Sequence, residues 1–172
     1  MVAFGVAPAS IIYSWILFYS EKMGWVAAFI YVAGAALRLA RFNTQIGVVD
    51  KRYFQGLPSP SAAAVIAGFI WVFHSFNPES NLLQVLALTI TTLVGLLMVS
   101  NIRYLSFKTI DTKEKIPFMV LLVIVLGVVF VSISPSEILF SIFLLYALSG
   151  PIITLWNLQK VKDLRIRKRN AQ

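Results

Sequence analysis

Six stretches of this chain are too apolar, and too nearly free of charge, to fold in water as an ordinary domain: Val2–Ser20, Met23–Leu37, Pro58–Phe76, Leu82–Ser100, Pro117–Ile133 and Glu137–Leu158. A hydrocarbon layer about 30 Å thick needs roughly 20 predominantly apolar residues per helix, with about 17–25 acceptable. Met23–Leu37 is the shortest of the set. Inside lipid every backbone N–H and C=O needs an internal partner, which leaves helices and closed barrels, and none of these runs alternates as a barrel strand does. The expectation is an all-α polytopic transmembrane bundle of about six spans. Composition agrees, at 59% apolar and 13% charged residues against roughly 45–50% and about 25% in soluble domains. A disordered chain is excluded by that apolar content and a disulfide-stapled module by the lack of cysteine.

The formal net charge of +8 would raise nucleic acid as a partner if it covered a soluble face, but the basic residues lie between the apolar runs. The five connections and the tail carry 1, 4, 0, 4, 0 and 6 lysines and arginines in chain order. Loops kept in the cytoplasm retain positive charge, so both termini are expected there, with an almost neutral opposite face. No nucleic-acid partner is expected. Residues 1–158 form the membrane domain in this reading and residues 159–172 a basic cytoplasmic tail.

Few side chains in the sequence offer chemistry. Arg38 and Arg41 stand three apart at the inner end of the second run, hence on one helix face. A guanidinium at the edge of a span is expensive, and its five donors suit phosphate or carboxylate oxygens; the competing role is snorkelling to lipid headgroups. The segment Asn101-Ile102-Arg103-Tyr104-Leu105-Ser106-Phe107-Lys108 repeats the theme at the inner end of the fourth run, where the two clusters could converge or could each serve as positive-inside anchors. Between them Phe54-Gln55-Gly56-Leu57-Pro58-Ser59-Pro60-Ser61 reads as a non-helical turn, followed by Ala62-Ala63-Ala64 as a packing surface. Small residues at Ala27-Ala28 and Gly34-Ala35-Ala36 also allow close helix packing. The single histidine, His74, falls near the outer end of the third run and reads as interfacial. Asp50, Asp111, Glu114 and Asp163 make no recognisable two-metal motif, and no P-loop, nucleophile elbow or zinc spacing is present, so neither a catalytic residue nor a metal ligand is assigned.

Four segments resemble the bacterial and archaeal phosphatidylserine synthases of the CDP-alcohol phosphatidyltransferase superfamily: Phe4-Gly5-Val6-Ala7-Pro8-Ala9, Ala36-Leu37-Arg38-Leu39-Ala40-Arg41-Phe42-Asn43, Phe54 to Pro60, and Ser100 to Lys108. The resemblance covers residues 1 to about 115 by motif and the rest by hydrophobic pattern. The superfamily's aspartate motif, D-G-x-x-A-R followed by G-x-x-x-D-x-x-x-D, is not in this sequence, and the resemblance places its last aspartate immediately before Met1. On that expectation the chain begins just after the metal site and transfers nothing alone.

For an intact relative the resemblance implies an integral protein of the bacterial inner membrane, common dimerisation, and a Mg2+- or Mn2+-dependent reaction. The L-serine hydroxyl attacks the lipid-linked phosphorus of CDP-diacylglycerol, giving phosphatidylserine and CMP. It further implies substrate contacts from Arg38, Arg41, Asn43, Asn101, Arg103, Ser106 and Lys108, with Gly5 and Pro8 structural. Two alternatives stay open: transfer to another alcohol, such as glycerol phosphate or inositol phosphate, and a non-catalytic membrane protein that binds lipid.

Overall fold

The computed structural model describes residues 1–44, 53–105 and 118–169, with side chains at 53, 54, 103, 105, 118, 119 and beyond 154 outside the description. The first apolar run is broken. A π-helical turn, Val2–Val6, leads into helix α1, Ala7–Trp15, whose first turn accepts Pro8 because an N–H there has no helical partner. At Ile16 the backbone leaves the helix (φ −138°, ψ −37°) and a 3-10 turn follows, Leu17–Ser20. The chain reverses at Glu21, whose φ of 47° is the sole positive value outside glycine among the described residues. Helix α2, Glu21–Thr44, then runs the other way. The reversal is tight enough that a Cβ at Gly24 would fall on the Leu17 carbonyl.

Helix α2 is 24 residues long, well beyond the Met23–Leu37 run, because helical structure continues through Arg38, Arg41 and Asn43 after the apolar stretch ends. Hydropathy marks the part of a helix that lipid tolerates and is blind to a polar extension of it. Helix α3, Ser59–Phe73, begins after Pro58, with a second proline in its first turn. Helix α4 spans Asn81–Val99, α5 Phe118–Ile133 and α6 Pro135–Arg169, the last carrying Pro151 inside it. Among the described residues one α-helix falls in each of the six apolar runs, with α6 continuing past Leu158 into the stretch expected to be a tail, and the all-α membrane bundle stands.

One feature is not helical. Residues Tyr53–Gln55 (β1) and Arg103–Leu105 (β2) form an antiparallel ribbon in which Tyr53 faces Leu105, Phe54 faces Tyr104 and Gln55 faces Arg103. Three-residue strands are too short to show a period of two, so alternation could not reveal them. Gly56 ends β1 with φ 77°, and a Cβ there would collide with the Met98 carbonyl. Its N–H donates to Ile102 O (2.8 Å) and the next N–H, of Leu57, to Leu97 O (3.0 Å), which ties the turn to the end of α4.

Packing follows the small residues. Helix α2 lies chiefly against α4 and α3 against α6. At the α2–α4 crossing a Cβ on Gly34 would stand 2.5 Å from Gly95 O, and one on Gly95 would stand 2.9 Å from Tyr31 Cα. Without a hydrophobic drive between helices in lipid, such close backbone approach supplies the dispersion contacts that hold spans together. Ala62 and Ala63 are buried as expected of the alanine run. The Tyr31 hydroxyl donates to Phe4 O (3.0 Å), and Gly5 sits against Ala35, so the N-terminal turn is fastened one helical turn before Arg38.

The α3–α6 crossing is looser. A Cβ on Gly68 would sit 3.1 Å from Phe140 Cα and Cβ, a contact the neighbours can accommodate by small shifts. Gly68→Ala should therefore cost about 1 kcal/mol or less, read as a drop of a few degrees or less in the unfolding midpoint in detergent. A loss as large as that of a backbone clash would show that α3 and α6 cannot move apart.

The outer surface is apolar along whole helices. Val120 through Phe130 of α5 are exposed, with Val123 at 65%, and Met23 on α2 reaches 67%. A surface like this cannot face water over such an area. By length and composition three segments can cross a membrane, Leu17–Thr44, Asn81–Val99 and Pro135–Thr154, and three shorter apolar helices accompany them. The protein is a membrane protein. His74 caps α3 and is exposed beside Ser75, in keeping with an interfacial place.

Candidate functional site

The end of the bundle that carries Arg38 and Arg41 gathers residues from four distant parts of the chain. Arg38 turns inward from α2. Its Nη1 donates to Ser59 Oγ at the start of α3 (3.1 Å), and its guanidinium lies within electrostatic reach of the Tyr146 phenol on α6. Its Nε–H is buried with no hydrogen-bond partner; among the described residues only Thr91 Oγ1, deep in the core, shares that condition. A buried, unpaired donor on a charged group costs roughly 1–3 kcal/mol or more, so it calls for an explanation.

Arg41, one turn on, reaches a different element: its Nη1 donates to Ser100 O at 3.5 Å, at the end of α4. Arg38 and Arg41 thus share a helix face, as their spacing requires, while each is held by a separate neighbour.

Ser100, at the start of the second basic segment, meets Arg41, and the pairing of β1 with β2 sets the backbone of Arg103 opposite Gln55. Asn43 and Asn101 are exposed, and the described bonds of the two arginines go to Ser59 and Ser100 instead. The Arg103 side chain, Ser106 and Lys108 lie outside the described residues, as do Asp50, Asp111 and Glu114. Gly5 and Pro8 are buried and structural.

Three participants were not singled out from sequence. Ser59 was read as part of a turn, Tyr104 as one letter of a basic segment, and Tyr146 as part of an apolar span. Tyr104 is 1% exposed, and its hydroxyl donates to Ala147 O on α6 (2.8 Å). Burial, and then the neighbouring Tyr146, push its phenol up to about 12, so it remains a proton donor at neutral pH. The two tyrosine rings lie 5.5 Å apart. A signal for Tyr104 did exist, in the adjacent Gly150-Pro151 pair inside an apolar run, but it does not say which side chain fills the gap.

Chemically the described groups are of the kind that suits anions. Two guanidinia at the rim of a low-dielectric bundle, one with an unused donor, suit phosphate or carboxylate oxygens. Among the described residues no three or more His, Cys, Asp or Glu side chains are grouped to hold a metal ion. The described residues therefore do not fit a divalent cation.

Comparison with known proteins is informative at this point. No protein-family model matches the chain. A CDP-diacylglycerol–serine O-phosphatidyltransferase of Helicobacter pylori strain 26695 is 35% identical over 162 residues, which is 94% of this chain and 66% of that protein. Its counterpart in strain J99 is 34% identical over 172 residues, 99% of this chain and 70% of that protein. A protein of the same name from Methanocaldococcus jannaschii is 36% identical over 104 residues, covering 60% of this chain and 44% of its own length. The chain thus spans about two thirds of the length of the Helicobacter proteins. Likeness of this extent over nearly every residue, on a membrane bundle whose inward arginine meets a serine and a tyrosine at one end, means that the chain belongs to the CDP-diacylglycerol–serine O-phosphatidyltransferase family.

Proposed function

We propose that the chain serves in phospholipid biosynthesis as a phosphatidyltransferase, moving the phosphatidyl group of CDP-diacylglycerol to L-serine with release of CMP. Its described residues do the binding and orienting. The observation that carries this reading is Arg38: a guanidinium drawn into the bundle, tied by one nitrogen to Ser59, with a second N–H buried and unused. An incoming phosphate or carboxylate oxygen would satisfy that donor in a water-poor site, where a charge-assisted bond is worth about 1.5–3 kcal/mol. Arg41 would add a second positive charge at the rim, and Asn43, Asn101, Arg103, Ser106 and Lys108 are the further candidate contacts in this reading.

In this reading the basic end faces the cytoplasm of a bacterial cell, where the nucleotide and serine are found, and a second copy of the chain is a partner in the bilayer. Holding the lipid diphosphate and the serine carboxylate near one another lowers the barrier through proximity and alignment. Mg2+ or Mn2+ belongs to the reading only as a requirement whose ligands are not among the described residues.

The test is a mixed-micelle assay with the purified 172-residue chain, CDP-diacylglycerol and labelled L-serine, with Mg2+ or Mn2+ added. Retention of CDP-diacylglycerol well above phosphatidylcholine, with L-serine favoured over glycerol 3-phosphate and inositol phosphate, is the expected result. Formation of phosphatidylserine would make this chain an enzyme as it stands. Retention no better than for phosphatidylcholine would overturn the reading.

A further inference from the structure

Helix α6 contains a defect at the level of the ribbon. Pro151 has no N–H, so the carbonyl four residues before it, that of Ala147, loses its helical donor, and the proline ring pushes that carbonyl aside. In a membrane bundle an orphaned carbonyl is costly and must be met by another group. The Tyr104 hydroxyl meets it, at 2.8 Å.

The fit is built from both sides. Gly150 leaves the room: a Cβ there would collide with Tyr104 Cζ and come within 2.8 Å of Ile102 Cγ2. Tyr104 itself cannot drift, because its backbone is paired opposite Phe54 in the ribbon, and the ribbon is pinned by Gly56 and Leu57 to the end of α4. The residue immediately before the accepting carbonyl is Tyr146, whose ring lies against that of Tyr104 and whose phenol is within electrostatic reach of Arg38.

We infer that Tyr104, seated in the carbonyl gap that Pro151 opens in α6, is a positioning residue that locks α6 to the ribbon at the end of the bundle where Arg38 is held by Ser59 and Arg41 by Ser100, and thereby sets how the Arg38 guanidinium meets an anionic ligand. This rests on the anion-binding role proposed for Arg38. It assigns a shared purpose to Gly150, Pro151 and Tyr104, which come from two regions of the sequence about 45 residues apart. The substrate does not touch Tyr104; the effect passes through α6.

Two cycles of substitutions test it, both on the full 172-residue chain in detergent micelles. In the first, unfolding midpoints are compared for the native chain, Tyr104→Phe, Pro151→Ala and the pair. Tyr104→Phe should lower the midpoint by about 2–4 °C, the scale of one lost hydrogen bond in a chain of this size. In the Pro151→Ala background the new N–H takes the Ala147 carbonyl, so Tyr104→Phe should cost little further. An equal drop in both backgrounds overturns the seat. In the second, affinity for CDP-diacylglycerol in mixed micelles is measured for Tyr104→Phe with and without Arg38→Ala. A weakening of roughly threefold or more with Arg38 present, and none once Arg38 is gone, is expected for a residue acting through that guanidinium. The same weakening in both backgrounds would make Tyr104 merely structural and overturn the positioning role. If the native chain fails to retain CDP-diacylglycerol, the function proposed for Arg38 falls and the positioning role with it, while the first cycle still decides the seat.

Discussion

Arg38→Ala should weaken retention of CDP-diacylglycerol by at least about tenfold, the scale of one lost charge-assisted contact. The substitution removes the positive charge, the bond to Ser59 Oγ and the unused Nε–H together. Arg38→Lys separates these. Lysine keeps the charge but is a point donor that cannot place one nitrogen on Ser59 and present another to a ligand in the same plane, so its affinity should fall between the two. Arg41→Ala should also lower retention by about tenfold, through loss of charge at the rim, while its long bond to Ser100 O contributes little. Equilibrium retention in mixed micelles, read beside the unfolding midpoint, checks the set. Unchanged retention in both alanine variants would return the arginines to membrane anchoring.

The second large effect concerns stability. Gly34→Leu should lower the stability of the bundle by about 3 kcal/mol or more, because even its Cβ would stand 2.5 Å from Gly95 O and the rest of the side chain has nowhere to go. Backbone atoms line the contact on both helices, so relief requires α2 and α4 to separate, which disturbs the seat of Arg38 near the end of α2. For a chain of this length that is a fall of roughly 6–12 °C in the unfolding midpoint. Gly127→Leu is the matched control: a Cβ there meets nothing within 4 Å, and the midpoint should not fall. Equal effects of the two substitutions would mean that α2 and α4 do not cross at Gly34 and Gly95.

The residues differ in how openly the sequence announces them. Arg38 and Arg41 are visible because a charge beside an uninterrupted apolar run is costly, and their spacing of three fixes a common face. Ser59, Tyr104 and Tyr146 were passed over because serine beside prolines reads as a turn, and tyrosine in an apolar setting reads as packing. Nothing local tells a packed tyrosine from one that fills a missing backbone donor.

Hydropathy alone determined the membrane class and the apolar cores of the six described helices, since the thickness and dryness of a bilayer act on each segment separately. The tertiary structure alone decided that α2 meets α4 through Gly34 and Gly95, that residues 53–55 and 103–105 pair as a ribbon, and that Tyr104 reaches Ala147. Those are pairings between residues tens of positions apart. Their energies come from close backbone approach and from carbonyls and donors in need of partners, quantities that exist only once the helices are side by side.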